Sequence, residues 1–296
     1  MFVATLIAEG LTKEQVDAAW YALEHKAGGR PDREWRWLEE GAAADLPFVF
    51  ASDPDNAPID VLREAVPAVD VVVQPAIARE KKLLIADMDS TMITVECIDE
   101  LADYAGLKPE IAEVTERAMR GELDFAAALD ARVALLKGLD EGAIDRCLAE
   151  RVTDTPGAAT LVKTMRARGA TTVLVSGGFT RFAEPVGARL GFERVIANRL
   201  EIADARLTGT VEKPIVDSAT KERTLRAVAA ERGLGLAETL AVGDGANDLP
   251  MIRAAGLGVA YRAKPIVAAA AAARVEHGDL TALLWAQGIC RAEWVS

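Results

Sequence analysis

The chain has 296 residues, of which 51% are hydrophobic, and its formal net charge is −12. This size and composition fit a globular protein with an ample core, folded as one large domain or two smaller ones. The acidic balance argues against non-specific nucleic-acid binding, which needs a basic surface, and no apolar run approaches the roughly 20 residues that span a bilayer.

The first 80 residues form a distinct region without a catalytic cluster. "TKEQVDAAWYALEHK" predicts a helix that begins after Thr12, with Gln15 completing a capping box. "AVDVVVQPA" predicts a strand. The Gly, Pro and Asp residues of "AGGRPDREWRWLEEG" and "ASDPDNAP" are typical of loops. We therefore expect residues 1–80 to be an N-terminal α+β extension.

From Lys82 onward, apolar strands alternate with helices. The predicted strands are "LLIAD", "TTVLVSGG", "ETLAVGDG" and "LGVAY". The predicted helices cover residues 157–168, 181–190, 221–232 and 248–255, and the alanine run 268–273 also predicts helix. Continuous Val/Leu/Ile runs separated by helices indicate a parallel sheet covered on both faces, a doubly wound α/β fold of Rossmann-like type.

Residues 95–152 interrupt this alternation, because their patterns are almost purely helical. The four segments are "VECIDELADYAGL", "PEIAEVTERAMRG", "FAAALDARVALLKG" and "EGAIDRCLAERV". Four helices between the first and second strands of a sheet predict a compact insert that caps the domain.

Three predicted strands end in polar, glycine-rich turns, "ADMDST", "VSGGFT" and "VGDGAND". In an open parallel sheet, ligands bind beyond the carboxyl ends of the strands, so these turns are expected to meet at one crevice. They supply four carboxylates and one hydroxyl, and Gly177 and Gly178 allow backbone amides to approach an anion. The side chains are Asp87, Asp89, Asp244, Asp248 and Ser176.

So many carboxylates repel one another unless a cation lies among them. Oxygen ligands of this kind suit Mg²⁺, which favours a few carboxylates, water and substrate phosphate. The alternative for any single aspartate is a turn or helix cap. Three such turns at strand ends favour a Mg²⁺-dependent phosphate site.

The few histidines and cysteines limit the kinds of metal site, catalytic triad and disulfide that the chain can form. Only His25 and His277 occur, which argues against a histidine-rich zinc site and leaves few candidates for a Ser-His-Asp triad. Cys97, Cys147 and Cys290 form neither a CxxC pair nor an even framework, and the N-terminus does not resemble a signal peptide. A reducing, cytoplasmic setting is therefore expected.

These motifs resemble those of a known superfamily. "DMDST" is similar to the DxDx(T/V) signature of haloacid dehalogenase-type phosphohydrolases, and "VSGGF", the lysine of "VDSATKERTL" and "VGDGANDLPM" resemble its remaining motifs in order. Longer stretches such as "DMDSTMITVECIDELA", "AMRGELDF" and "VSGGFTRFAEPVGARLGF" resemble one family within it, the phosphoserine phosphatases. The resemblance implies a haloacid dehalogenase-like domain over residues 81–296, a cap at about 94–153, and an ACT-like regulatory extension over 1–80.

The resemblance also implies roles for the acidic residues. Asp87 would be the nucleophile that forms an aspartyl phosphate, a known role for carboxylates. Asp89 would be the general acid for the leaving serine and then the base for water. Mg²⁺ would sit on the carboxylates of Asp87 and Asp244 and on the backbone carbonyl of Asp89.

Five further residues would handle the phosphoryl group. Ser176, the Gly177 amide and Lys221 would hold its oxygens. Asn247 would orient phosphate or water, and Asp248 would fix Lys221.

The insert would select the substrate. Glu96 would pair with its ammonium and Arg132 with its carboxylate, which a guanidinium can bind bidentately. Met119 and Phe125 would exclude water. Spacing alone instead favours Glu96 as a first-turn helix acid, Arg132 as a solvated helix charge, and the two apolar residues as plain core. The resemblance favours the substrate roles for Glu96 and Arg132.

The implied activity is Mg²⁺-dependent hydrolysis of O-phosphoserine, a small-molecule substrate, to serine and phosphate, the last step of serine biosynthesis. Two alternatives stay open. One is a phosphotransferase of the same fold that passes the phosphoryl group to another amino-acid hydroxyl, such as that of homoserine. The other is a serine-sensing regulatory protein.

Overall fold

The N-terminal part of the chain folds as an antiparallel sheet with two helices. The computed structural model describes residues 1–50, 58–119 and 122–296, with the backbone alone described at 50, 118 and 119. The N-terminal elements are β1 (Phe2–Ile7), α1 (Lys13–His25), β2 (Gly29–Pro31), β3 (Arg36–Glu39), β4 (Ala43–Phe50), α2 (Pro58–Ala65) and β5 (Asp70–Pro75). The sheet has the order β2-β4-β1-β5, and β3 also pairs with β4.

The central strand β1 is buried on both faces, and its alternation separates two packing surfaces. Ala4 and Leu6 belong to a cluster that packs under α1 and α2. Thr5 and Ile7 point the other way, where Ile7 joins the large core of the rest of the chain. Because strand side chains alternate with a period of two, this sheet is covered by helices on one side and by the second unit on the other.

The sequence-based reading of residues 27–41 as loop is wrong at two places. Residues 29–31 and 36–39 form β2 and β3, which pair with successive halves of β4 along the same edge. Both strands are short, and their pairing partner lies elsewhere in the chain, so local sequence carries little trace of them. The predicted capping box of Thr12 and Gln15 is confirmed. The loop predicted in "ASDPDNAP" lies outside the described residues except for Pro58, which begins α2.

The second unit contains a six-stranded parallel sheet with the order β13-β12-β11-β6-β7-β8, so the predicted doubly wound fold is confirmed. None of the described helices is long and apolar enough to cross a membrane. The elements after residue 80 are β6 (Leu83–Ala86), α3 (Cys97–Tyr104), α4 (Lys108–Met119), α5 (Phe125–Leu135), α6 (Gly142–Arg151), α7 (Ala158–Ala167), β7 (Thr171–Phe179), α8 (Thr180–Leu190), β8 (Arg194–Asn198), β9 (Leu200–Ala203), β10 (Arg206–Val211), α9 (Ser218–Glu231), β11 (Thr239–Gly243), α10 (Leu249–Ala254), β12 (Leu257–Tyr261), α11 (Pro265–Ala270), β13 (Ala273–Val275) and α12 (Ala282–Ala286).

The strand β6 shows how the sheet is covered on both faces. Leu83 and Ile85 pack in a cluster with α9 and α10. Leu84 and Ala86 pack in the other cluster, with α7, α8 and α12. All four residues are fully buried, which explains the uninterrupted apolar run.

The helices α3 to α6 form the predicted cap between β6 and β7, and two contacts hold it. The segments that lead into and out of the cap are paired, since the Thr94 amide donates to the Thr153 carbonyl at 3.0 Å and the Thr155 amide to the Met92 carbonyl at 3.0 Å. On the far side, the connection between α5 and α6 runs along the β9–β10 hairpin. There the Gly138 amide donates to the Leu207 carbonyl at 2.8 Å.

The alanine run 268–273 is helical only in part, so that prediction is wrong at its end. The helix α11 stops at Ala270, and Ala273 begins β13, which pairs in parallel with β12. Ala273 and Val275 are fully buried at the sheet edge. Pairing and burial therefore override the high helix propensity of alanine.

A buried ion pair fastens the two units together. Arg79 donates to both carboxylate oxygens of Asp45 in β4, at 2.7 and 2.6 Å. It also donates to the Ala286 carbonyl of α12 at 2.8 Å and to Thr5 at 2.9 Å. Bidentate arginine–carboxylate geometry with every partner satisfied makes this contact rigid.

Candidate active site

The three glycine-rich turns lie side by side, because they follow the adjacent strands β11, β6 and β7. They form the floor of a cavity of about 610 Å³, and the cap helices α3, α4 and α5 form its roof. Eight of the residues predicted from sequence line this cavity: Asp87, Asp89, Glu96, Phe125, Arg132, Gly177, Asp244 and Asn247.

Lys221 lies beneath the floor, buried between two carboxylates. Its Nζ atom donates to Asp87 Oδ1 and to Asp248 Oδ1, each at 2.6 Å. The second oxygen of Asp248 accepts the Gly245 amide at 3.0 Å, so both of its oxygens are engaged. Gly243 leaves room for this arrangement, because a Cβ there would lie 2.4 Å from Asp248 Cγ.

The electrostatics of this cluster are dominated by burial. Burial opposes the charge of Lys221, but Asp87 and Asp248 together outweigh it and raise the pKa of the ammonium. Burial and then the Asp248 carboxylate raise the pKa of Asp87, which Lys221 counteracts only in part. One lysine therefore does not compensate the surrounding carboxylates.

Asp244 adds a third carboxylate to this group. Ligand atoms of Asp87, Asp244 and Asp248 all lie within 4.8 Å of one another. Burial, followed by the Asp248 charge, raises the pKa of Asp244 to about 6. Asp244 Oδ1 accepts a hydrogen bond from Thr91 at 3.2 Å. Since the Asp248 oxygens are already used, Asp87 and Asp244 are the carboxylates with oxygen atoms left for a cation.

Asp89 is held from two sides. Its Oδ1 accepts the Cys97 amide at 2.8 Å, and its Oδ2 accepts the Ser176 hydroxyl at 3.2 Å. Burial raises the pKa of Asp89 even though these hydrogen bonds favour the charged form. Ser176 is fully buried behind Asp89 and does not line the cavity. Burial also raises the pKa of the Cys97 thiol, which makes it an unreactive core residue.

Two glycines let the β7 turn approach the carboxylates and the cap. A Cβ at Gly178 would lie 2.8 Å from Asp89 Oδ2 and 3.0 Å from Ser176 Oγ. A Cβ at Gly177 would lie 3.1 Å from the Phe125 ring. Phe125 begins α5 and lines the roof, so the cap packs directly on the turn.

Glu96 lies at the start of α3 but does not act as a helix cap. Its side chain makes no capping hydrogen bond, and its Oε1 instead accepts the Ser90 hydroxyl at 2.7 Å. Part of the side chain reaches solvent. The remaining burial, followed by the Asp89 charge, raises the pKa of Glu96 to about 7. The arrangement concentrates negative charge at this end of the cavity.

Arg132 on α5 supplies positive charge to the roof. Its Nε donates to the Ala128 carbonyl at 3.3 Å, and no carboxylate of the described residues lies within 4.0 Å of its guanidinium. Burial lowers the pKa of Arg132, although Asp99 and Glu96 oppose the shift. Its guanidinium is therefore available to an anionic ligand. The predicted contact of Met119 lies outside the described side chains.

Several lining residues were not predicted from sequence. Ser90 orients Glu96 and has a positive φ of 55°. Lys264, which follows β12, lines the cavity near Asp244, and its amide donates to the Asp244 carbonyl at 3.3 Å. Asp99 and Thr115 add polar groups from α3 and α4. Ser90 belongs to the "DMDST" motif, but its neighbours in space, like those of Lys264, could not be inferred from sequence.

Comparisons with known proteins agree with this architecture. The family model described as haloacid dehalogenase-like hydrolase matches residues 84–253. A phosphoserine phosphatase of Streptomyces coelicolor is 43% identical over 294 residues, which cover 98% of this chain and 71% of that protein.

Two solved structures extend the comparison. A haloacid dehalogenase family hydrolase of Salmonella enterica serovar Typhi has a TM-score of 0.85 at 29% identity, covering 98% of this chain and 99% of its own. A structure described as a phospho-aspartyl intermediate analogue of phosphoserine phosphatase has a TM-score of 0.64 at 39% identity, covering 70% of this chain and 98% of its own. The first likeness includes the N-terminal unit.

Proposed function

The chain belongs to the haloacid dehalogenase-like hydrolases, and on that premise we propose that it hydrolyses O-phosphoserine to serine and phosphate through an aspartyl phosphate. The observation that carries this proposal is that one cavity has groups suited to phosphate on its floor and groups suited to an amino acid on its roof. On the floor, Asp87 accepts a hydrogen bond from the buried Lys221. On the roof, Glu96 supplies an acidic group and Arg132 a basic one.

We propose Mg²⁺ as the metal. The donor set fits this ion, because hard carboxylate oxygens of Asp87 and Asp244 are left unengaged in a cluster with excess negative charge. These carboxylates and the backbone carbonyl of Asp89 would hold it, and Asp248 would instead fix Lys221. When bound, Mg²⁺ would neutralise the charge of the phosphoryl oxygens.

The chain's own residues would then perform two displacements. Asp87 attacks phosphorus, and the bond to the serine oxygen breaks while Asp89 gives that oxygen a proton. Asp89 then takes a proton from water as the water attacks the aspartyl phosphate, which releases phosphate and restores Asp87. The raised pKa of Asp89 favours the protonated form that the first step needs. Lys221, the Gly177 amide and Asn247 would hold phosphoryl oxygens.

Ser176 is predicted to act on the phosphoryl group, but its hydroxyl donates to Asp89 and accepts the Gly178 amide at 2.8 Å. This contact supports a positioning role as well: Ser176 would keep the Asp89 carboxyl aimed at the leaving oxygen.

The cap would bind the amino-acid part of the substrate. Glu96, oriented by Ser90, would bind the ammonium, and Arg132 would bind the carboxylate. A zwitterion matches this roof because each charge meets its opposite, whereas a substrate lacking one charge leaves a cavity group uncompensated. Phe125 would exclude water from the reacting centre, and Met119 is proposed for the same role.

We further propose that the chain divides near residue 80 into a regulatory ACT-like unit and a phosphatase domain with its cap at about 94–153. The family match from residue 84 and the separate cluster under α1 and α2 support this division. A cytoplasmic location is proposed as well, because all three cysteines are free thiols. The net charge of −12 disfavours nucleic acid as a partner.

The test is phosphate release from O-phosphoserine with Mg²⁺, with and without homoserine. We expect hydrolysis that homoserine does not divert. Asp87→Asn should abolish turnover, whereas Asp204→Asn, in an exposed turn with a positive φ of 50° that Asn tolerates, should leave it unchanged. Phosphohomoserine as the main product would show a phosphotransferase, and serine binding without turnover would show a sensor.

A further inference from the structure

A second cavity lies between the N-terminal unit and the phosphatase domain, away from the active site. Its volume is about 140 Å³, which is room for several waters. One wall comes from α2 and the turn before β5, and the other from β13 and the residues after it. The two units therefore build this cavity jointly.

Two arginines, one from each unit, line this cavity. Arg63 Nη2 and Arg274 Nε are shielded from solvent, and neither has a hydrogen-bond partner among the described residues. Burial, followed by the charge of Arg274, lowers the pKa of Arg63, so the two guanidiniums are close enough to repel each other. Buried donors without acceptors are costly, and like charges add to that cost.

The neighbouring carboxylates meet this demand only in part. Asp60 lies 3.6 Å from Arg63 Nη1 and its side chain is 70% exposed. Glu276 forms an ion pair with Arg274 Nε at 3.0 Å, but without hydrogen-bond geometry, and its side chain is 44% exposed. Asp70 is buried, and its oxygens accept the amides of residues 276–278, the shortest at 2.7 Å from Gly278. The two guanidiniums are therefore paired only with partly exposed carboxylates.

We propose that Arg63 and Arg274 form a binding site for a small oxyanion, either a carboxylate or inorganic phosphate. An oxyanion between the two guanidiniums would accept hydrogen bonds from them and reduce their repulsion, and guanidinium geometry matches both anions. Because each unit supplies one arginine, the bound anion would bridge the N-terminal unit and the edge strand of the phosphatase sheet.

This site shares no lining residue with the active-site cavity, so its occupancy can be measured separately. The probe is the Nε–Hε signal of Arg274 in proton–nitrogen correlation spectra of the full chain, assigned by its loss in Arg274→Lys. Inorganic phosphate, acetate and L-serine are titrated in separate arms, with sodium chloride at equal ionic strength as the reference. A saturable shift of this signal is the expected result.

Variants of Arg63 decide whether the shift reports the proposed pair. Arg63→Lys keeps the charge but loses the paired N–H donors of the guanidinium. It should weaken binding about tenfold, as for one lost hydrogen bond to a charged group. Arg63→Gln should weaken it further, and a thermal melt of each variant confirms folding. Arg226→Gln, an exposed arginine paired with Glu222 on α9, is the matched control and should bind as wild type.

The outcomes are distinct. Saturation by phosphate alone, by the carboxylates alone, or by both supports the site and identifies the source of the anion. A signal that moves no more than in sodium chloride overturns the proposal, because water then satisfies the two arginines. A saturable shift that is unchanged in Arg63→Lys and Arg63→Gln also overturns it, because the anion then binds elsewhere.

Discussion

Replacing Lys221 with methionine should destabilise the protein strongly. The lysine is fully buried and holds Asp87 and Asp248 at 2.6 Å each, so methionine, which is similar in size, would leave two buried carboxylates without their cation. Removing one partner of a buried ion pair costs about 3–5 kcal/mol. Without the lysine, the two carboxyl groups can take up protons. The loss of stability therefore stays within this range and far below the Coulomb energy of a buried ion pair.

The matched control is Lys213→Met. Lys213 pairs with Asp130 at 2.7 Å, nearly the same distance, but the two side chains are 53% and 51% exposed. Exposed pairs contribute about 0–1 kcal/mol. The two substitutions therefore remove the same atoms from pairs of similar length and differ in burial.

Urea unfolding in the presence of EDTA measures both variants, so that added metal does not replace the missing charge. Lys221→Met should lower the free energy of unfolding by about 3–5 kcal/mol and Lys213→Met by less than about 1 kcal/mol. Adding Asp248→Asn to Lys221→Met should restore part of the loss, because one orphaned charge is removed. Equal costs for the two single variants would refute the claim that burial makes the Lys221 pair critical.

Three further predictions test the roof, the acid and a buried lysine. Arg132→Ala should lower kcat/KM for O-phosphoserine by the equivalent of roughly 2–5 kcal/mol and affect phosphoethanolamine, which lacks the carboxylate, far less; equal losses in steady-state assays would make Arg132 structural. Asp89→Asn should slow transfer from O-phosphoserine by roughly 10²–10⁴-fold in rapid quench but from p-nitrophenyl phosphate much less, since nitrophenolate leaves without a proton; equal slowing contradicts the general-acid role. Burial lowers the pKa of Lys81 from 10.5 to about 8. Between pH 8 and 10.5 the unfolded chain therefore binds more protons than the folded chain. The free energy of unfolding should rise with pH in this range, by up to about 3 kcal/mol. Lys81→Gln should flatten this rise in urea unfolding and Lys82→Gln, at its half-exposed neighbour, should not; a rise that persists in Lys81→Gln would assign it to other groups.

The parallel sheet was predictable because its strands are buried on both faces. "LGVAY" matches β12 in full, since every residue of that strand is buried and the apolar run has no polar interruption. The edge strands β2 and β3 were missed because each is short and pairs with β4, and that pairing is not encoded locally. Ala273 shows the same limit, because a residue suited to helix became a strand through its pairing with β12.

The candidate site divides in a similar way. The aspartates could be predicted because chemistry at strand ends follows from the sheet topology. Ser90 and Lys264 could not, since the contact of Ser90 with Glu96 depends on a left-handed backbone, and Lys264 reaches the cavity only through the position of the turn before α11. The burial of Ser176 behind Asp89 was likewise not predictable, and its contact with phosphate stays a prediction.

The attachment of the cap has a kinetic consequence. Arg132 lies on α5, and this helix continues into the connection that is hydrogen-bonded to the β9–β10 hairpin, while Asp130 of the same helix pairs with Lys213. The backbone hydrogen bonds to the hairpin fix the end of α5 and so the place of Arg132. If Arg132 binds the carboxylate as proposed, capture takes place at the first encounter, without a prior movement of the roof. Discrimination against phosphate esters without a carboxylate would then appear as a short residence time in the open cavity, and few such molecules would remain long enough to react.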